Sequence, residues 1–150
     1  MELRERIPLA MKEALRAKDS ARLSTIRMIA AAFKDREIAS RTTDATVGEA
    51  DLLALLGKMV KQRVESARVY TEGARPELAA KELAEVAVIE EFLPRALTGA
   101  EVATAIDAAI AEAGAASVKD MGKVMALLKA RHTGQMDFGA AGGLIKARLG

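Results

Sequence analysis

Apolar residues recur along the chain at spacings of three and four, the signature of helices with one buried face. Leu3, Ile7, Ala10 and Ala14 make the first such row. Pro8 interrupts it, so the helix either begins at Pro8, where a missing N–H does no harm, or is kinked there. A second helix is expected over 20–39 with Ser20 as N-cap, burying Leu23, Ile26, Ala30 and Phe33, with Glu37 continuing the row. Arg27, Lys34 and Arg41 follow every seven residues along its edge. Residues 40–48 are polar and unpatterned and read as a mobile loop. The third helix, 49–71, carries Leu52, Leu56, Met59, Arg63, Ser66 and Tyr70 at alternating spacings of four and three. An arginine in such a seam needs a partner, because an unpaired buried charge is costly. Turn residues from Gly73 to Pro76 bring a fourth helix, 77–93, back antiparallel and set Glu82 or Glu85 opposite Arg63. A polar pair in a seam fixes register, and that is the role expected of this one.

Pro94 stops the fourth helix, and Thr98 with Glu101 three residues on forms a capping box for the next, 99–113. Val102, Ala105, Ile106, Ala109 and Ile110 are its apolar side and Gly114 its end. Over 117–131, Met121, Val124, Met125 and Leu128 lie on one side and Lys119 and Lys123 on the other, with Ser117 and Asp120 as a helix-opening pair. Gly122 costs about 1 kcal/mol against Ala in a helix interior, which suggests close approach of a helix or a phosphate backbone. A last helix runs from Asp137 as N-cap to about 149, burying Phe138, Leu144 and Ile145 and weakened by Gly139, Gly142 and Gly143. The expected fold is all-α, an N-terminal antiparallel helical bundle (1–95) followed by a small three-helix C-terminal domain (96–150).

Composition narrows the function classes. Without cysteine, thiolate metal sites and disulfides are excluded. With one histidine, His132, read as a solvent-exposed loop residue, zinc is not expected. No nucleophile–base pair is legible, the C-terminal glycines lack the Gly-Lys-Ser/Thr of a phosphate loop, and Asp137-Phe138-Gly139 matches a kinase triplet by chance. Neither a catalytic residue nor a cofactor is expected. The N-terminus has no apolar signal core, and a run of about 18 apolar residues is lacking, so a cytoplasmic protein without a membrane span is expected. Net charge is +2, too small for a general nucleic-acid binder, and DNA binding is not expected. Charge is nonetheless segregated: residues 1–41 hold ten Lys/Arg against six Asp/Glu, 77–91 one against five, and 119–148 six against two.

Several blocks in order carry a family resemblance: Arg22-Leu23-Ser24-Thr25-Ile26-Arg27-Met28 with Lys34 and Glu37, Lys61-Gln62-Arg63-Val64-Glu65-Ser66 with Tyr70, Phe92-Leu93-Pro94, and Lys119-Asp120-Met121-Gly122-Lys123-Val124-Met125 with Gly134 and Asp137. Over essentially its whole length the chain resembles the YqeY family, free-standing relatives of the tail domain of the B subunit of glutamyl/aspartyl-tRNA amidotransferase. That resemblance implies a larger N-terminal helical domain before a small three-helix one, and a tail associated with tRNA. Carbon–nitrogen ligase activity with glutamine as amide donor is implied by association only. The leading expectation is a tRNA-associated binding module whose Lys119, Lys123, Lys129, Arg131 and Lys146 contact RNA backbone. The alternatives are an accessory of tRNA-dependent amidation and a protein–protein adaptor using the acidic fourth helix and apolar seams. Expected partners are tRNA and an amidotransferase or other translation-related protein.

Overall fold

The computed structural model describes residues 1–43 and 46–150; Asp44 and Ala45, within the stretch expected to be mobile, lie outside the described residues. All regular structure among the described residues is helical: α1 (Leu3–Arg16), α2 (Ser20–Ser40), α3 (Glu49–Glu72), α4 (Pro76–Glu90), α5 (Gly99–Ala113), a 3-10 turn (Val118–Asp120), α6 (Met121–His132) and α7 (Phe138–Leu149). The all-α class follows from an Ala/Leu/Lys/Glu-rich chain poor in aromatic residues. None of the described helices is long and apolar enough to cross a membrane. The helices group into two compact units, Met1–Leu93 and Pro94–Gly150.

In the first unit, α1 starts at Leu3 and passes through Pro8, correcting the alternative start at Pro8. The Leu3 N–H donates to both carboxylate oxygens of Glu49, at 2.9 and 3.0 Å, so a residue of α3 caps α1. Burial of Leu3 and Ile7 offsets the hydrogen bond that Pro8 cannot make. The N-cap of α2 is Asp19, not Ser20: its carboxylate accepts from Arg22 N at 3.1 Å. Ile26, Ile29, Leu52, Leu56 and Ile89 are completely enclosed and form the centre of this unit's core. α4 ends at Glu90 rather than at 93, and Phe92 folds back into the core under Arg6, whose guanidinium lies 5.3 Å from the ring centroid. Arg6 also donates to Glu91 O, and Arg22 pairs with Glu91, so α4's end is tied to α1 and α2.

In the second unit the capping box at Thr98 forms with both halves present: Glu101 N donates to Thr98 Oγ1 at 3.2 Å and Thr98 N to Glu101 Oε1 at 3.1 Å. Gly114 takes the left-handed conformation that closes α5. Ile106, Ala109, Val124, Leu128, Ala141 and Ile145 are buried together. Leu144, expected inside, is 45% exposed, and Ala141 takes the buried place one turn earlier. Asp137 caps α7 by accepting from Gly139 N and Ala140 N.

Glu101 accepts two hydrogen bonds from the guanidinium of Arg95, with the Thr98 N–H adding a third, and its pKa is pushed down to about 2. A depressed carboxylate stabilises the fold above its unfolded pKa and loses that contribution as pH falls through the folded value. NMR titration of the glutamate side chains should show Glu101 still ionised at pH 3.5, with the α5 cap lost only toward pH 2. Gly57 in α3 and Gly143 in α7 have open space where a Cβ would stand. Gly57→Ala and Gly143→Ala should each stabilise their helix by about 1 kcal/mol, read as raised urea midpoints; unchanged midpoints would contradict the packing described.

Candidate functional site

α3 packs extensively along α4, whereas α2 meets α3 only sparingly. The separation leaves an open groove of about 350 Å³ between α2 and α3. From α2 it is lined by Met28, Ala31, Ala32 and Asp35, and from α3 by Leu55, Lys58, Met59, Gln62 and Arg63. The alanines keep the α2 wall low, while buried Met59 and half-buried Met28, Ala32 and Leu55 make an apolar floor. Ala31, Asp35, Lys58 and Gln62 form its exposed edges. Ile38, 45% exposed and three residues beyond Asp35, continues the Ala31 face by another turn.

Arg63 stands at one end. Its Nε donates to Glu85 Oε2 at 3.0 Å, with the two side chains 16% and 18% exposed, so the partner is Glu85 and not Glu82. Nη1 donates to Met59 O at 3.2 Å, and Nη2 reaches only the Met28 sulfur, at 3.7 Å. A thioether is a weak acceptor, so this edge of the guanidinium keeps hydrogen-bonding capacity facing the groove. Arg27 and Lys34, four before and three after Ala31, share its face and are exposed. Two of the sequence blocks, one holding Arg27 and the other Arg63, thus border one groove.

The C-terminal residues singled out by sequence do not converge in this way. Arg131 is paired with Glu112, and Arg148 with Asp107 at 2.7 Å. Lys119, Lys123, Lys129 and Lys146 are exposed, but Lys129, six residues after Lys123, points about 120° away from it around α6. Asp120 accepts from Ala116 N and Ser117 N, which with Lys123 nearby holds its carboxyl below the usual range; it caps the turn before α6. Gly122 has open space around an added Cβ, so among the described residues of its unit no helix makes the expected close approach. Gly134 adopts φ +80° in the turn after α6, a conformation that suits glycine. His132 is the last residue of α6, not a loop residue, and is half-buried. Its Nδ1 lies 3.2 Å from Gln135 Oε1, and Gln135 Nε2 donates to Arg95 O at 3.1 Å. A shallow hollow beside it is walled by Ala100, Thr104 and Ala108 of α5. The His132–Gln135 arrangement ties the start of this unit to the end of α6. Among the described residues three or more metal-ligating side chains nowhere gather.

Comparison with known proteins corrects the function expected from sequence. Over 83 residues, 55% of this chain, it is 37% identical to altered inheritance of mitochondria protein 41, mitochondrial, of Clavispora lusitaniae, and covers 46% of that protein. The protein of the same name from Vanderwaltozyma polyspora is 32% identical over 83 residues, with 44% of it covered, and that of Saccharomyces cerevisiae (strain YJM789) 29% over 92 residues, with 49% covered. The chain therefore spans less than half the length of these curated relatives. Their name speaks of mitochondria and not of tRNA or amide transfer. It overturns the tRNA-associated module, the amidation accessory and the cytoplasmic location. Of the acidic residues expected on the fourth helix, Glu85 is held by Arg63, and Glu91, just past its end, by Arg22. A family model described as Yqey-like protein matches residues 4–149, nearly the whole length, and the chain belongs to the YqeY family.

Proposed function

We propose that the chain is a helix-binding module whose α2/α3 groove receives a helical segment of a partner protein. The carrying observation is the groove's make-up: an apolar, methionine-containing floor between two helices, open to solvent. The backbone groups of α2 and α3 are engaged within their own helices, so an extended peptide would find no ladder to pair with. A helix satisfies its own backbone and offers side chains at i, i+3, i+4 and i+7 to such a floor. From Arg27 to Ile38 the α2 edge extends about 16 Å, at 1.5 Å per residue, enough for about three turns of an occupant. Methionines suit the task because an unbranched thioether adapts to irregular neighbours.

We further propose that the two units are separate domains, an N-terminal antiparallel bundle and a three-helix C-terminal domain. Their distinct hydrophobic clusters support this division. The relatives' name supports looking for the partner among proteins concerned with the inheritance of mitochondria.

A photo-crosslinking amino acid at exposed Gln62 tests the groove in cells. Linkage to one protein, through a peptide of helical pattern and abolished by Ala31→Trp, is the expected result. Equal linkage from exposed Leu15 on α1, or linkage indifferent to Ala31→Trp, would remove the groove from consideration.

A further inference from the structure

Building on the helix-binding reading of the α2/α3 groove, we infer that its occupant is an acidic amphipathic helix, with a carboxylate seated against Arg63. The apolar floor sets the occupant's anchors, and the charges around it set its sign. Arg27, Lys34 and Lys58 stand on or beside the edges, all exposed and, among the described residues, outside any ion pair. Nearby carboxylates on α3 are already engaged: Asp51 accepts from Gly48 N at 2.9 Å, and Glu65 holds Arg68. Among the described residues, Asp35 is the one acidic residue lining the groove. The rim therefore carries a net positive charge that no ion pair among the described residues neutralises.

Arg63 adds direction. Its Nε is saturated by Glu85, while Nη2 meets only the sulfur of Met28. A carboxylate arriving at the Met28 end would replace that weak contact with a charge-assisted hydrogen bond. Asp35, seven residues or about 10 Å further along α2, disfavours a second carboxylate opposite itself and favours a neutral or basic residue there. The occupant is thus defined by chemistry: apolar anchors on one face, acidic flanks, and an Asp or Glu at the end that meets Arg63. The exposed cations steer and orient such a helix, and the floor holds it.

A displayed library of amphipathic peptides of about 15 residues, with fixed leucine and methionine anchors and randomised polar positions, is selected against the immobilised full chain. Enriched peptides should be net negative and salt-sensitive. They should bind roughly tenfold or more weakly to the Arg27→Glu, Lys34→Glu, Lys58→Glu triple variant, and be lost with Ala31→Trp, which fills the groove from its exposed wall. Circular dichroism of the variants checks that they remain folded. Neutral or basic winners that are still lost with Ala31→Trp would overturn the acidic preference and leave the helix-binding reading standing. Winners that bind Ala31→Trp undiminished, or a library without winners, would overturn both.

Discussion

Leu128→Ala should unfold the C-terminal unit and leave α1–α4 folded. Leu128 is 1% exposed at the junction of α5, α6 and α7, among Ile106, Val124 and Ile145. A buried Leu→Ala costs about 3–5 kcal/mol, the lost transfer energy plus the cavity left behind. A compact unit of about 60 residues buries a modest share of its surface and, folding alone, would have a total stability of about 3–9 kcal/mol. The substitution therefore removes most of what holds the unit together. In an amide NMR spectrum, the resonances of 94–150 should collapse toward random-coil positions while those of 1–93 keep their dispersion. Loss of both sets together would show that the units fold as one body; survival of both would show that the core around Leu128 is wrongly described.

Glu85→Ala should destabilise the first unit by about 2–3 kcal/mol, below the 3–5 typical of a fully buried pair because both side chains retain some exposure. The loss comes from leaving the Arg63 guanidinium half-buried without its carboxylate. Replacing both partners, Arg63→Met with Glu85→Leu, should recover stability to within about 1 kcal/mol of the parent. Urea unfolding of the single and double variants measures both values. A double variant as unstable as the single one would mean that the pair itself, and not the orphaned charge, holds α3 to α4. The double variant also removes the Arg63 end of the groove without loss of the fold, separating recognition from register.

The helices were legible because their apolar rows are long and their stops are chemical. Thr98 with Glu101 and Gly114 bracket α5 at the residues expected, and Arg63 announced a partner on α4. Local chemistry misled where two residues could do one job. Asp19 precedes Ser20 and, as a carboxylate, is the better acceptor for the first turn of α2. Leu144 looked buried by composition, yet Ala141 fits the close space against α6, where Gly142 lies against the Met121 and Met125 methyls. Pro8 looked like a start because the cap that begins α1 earlier, Glu49, lies 46 residues away. The groove could not be read because Met28, Ala31 and Ala32 lie off the main apolar row of α2, and nothing local states that α2 and α3 separate. Its one trace was Arg27 and Lys34 at a seven-residue spacing, a pattern that also suits an ordinary charged rim.

The most direct test of the helix-binding account is an amide chemical-shift titration of the isotope-labelled full chain with one enriched peptide, the peptide's own helicity being followed in parallel. The account predicts shifts concentrated at Met28–Ile38 and Leu55–Arg63, a peptide that becomes helical as it binds, and a null titration with Ala31→Trp. Shifts centred on α5–α7, or an unchanged response from Ala31→Trp, would contradict it.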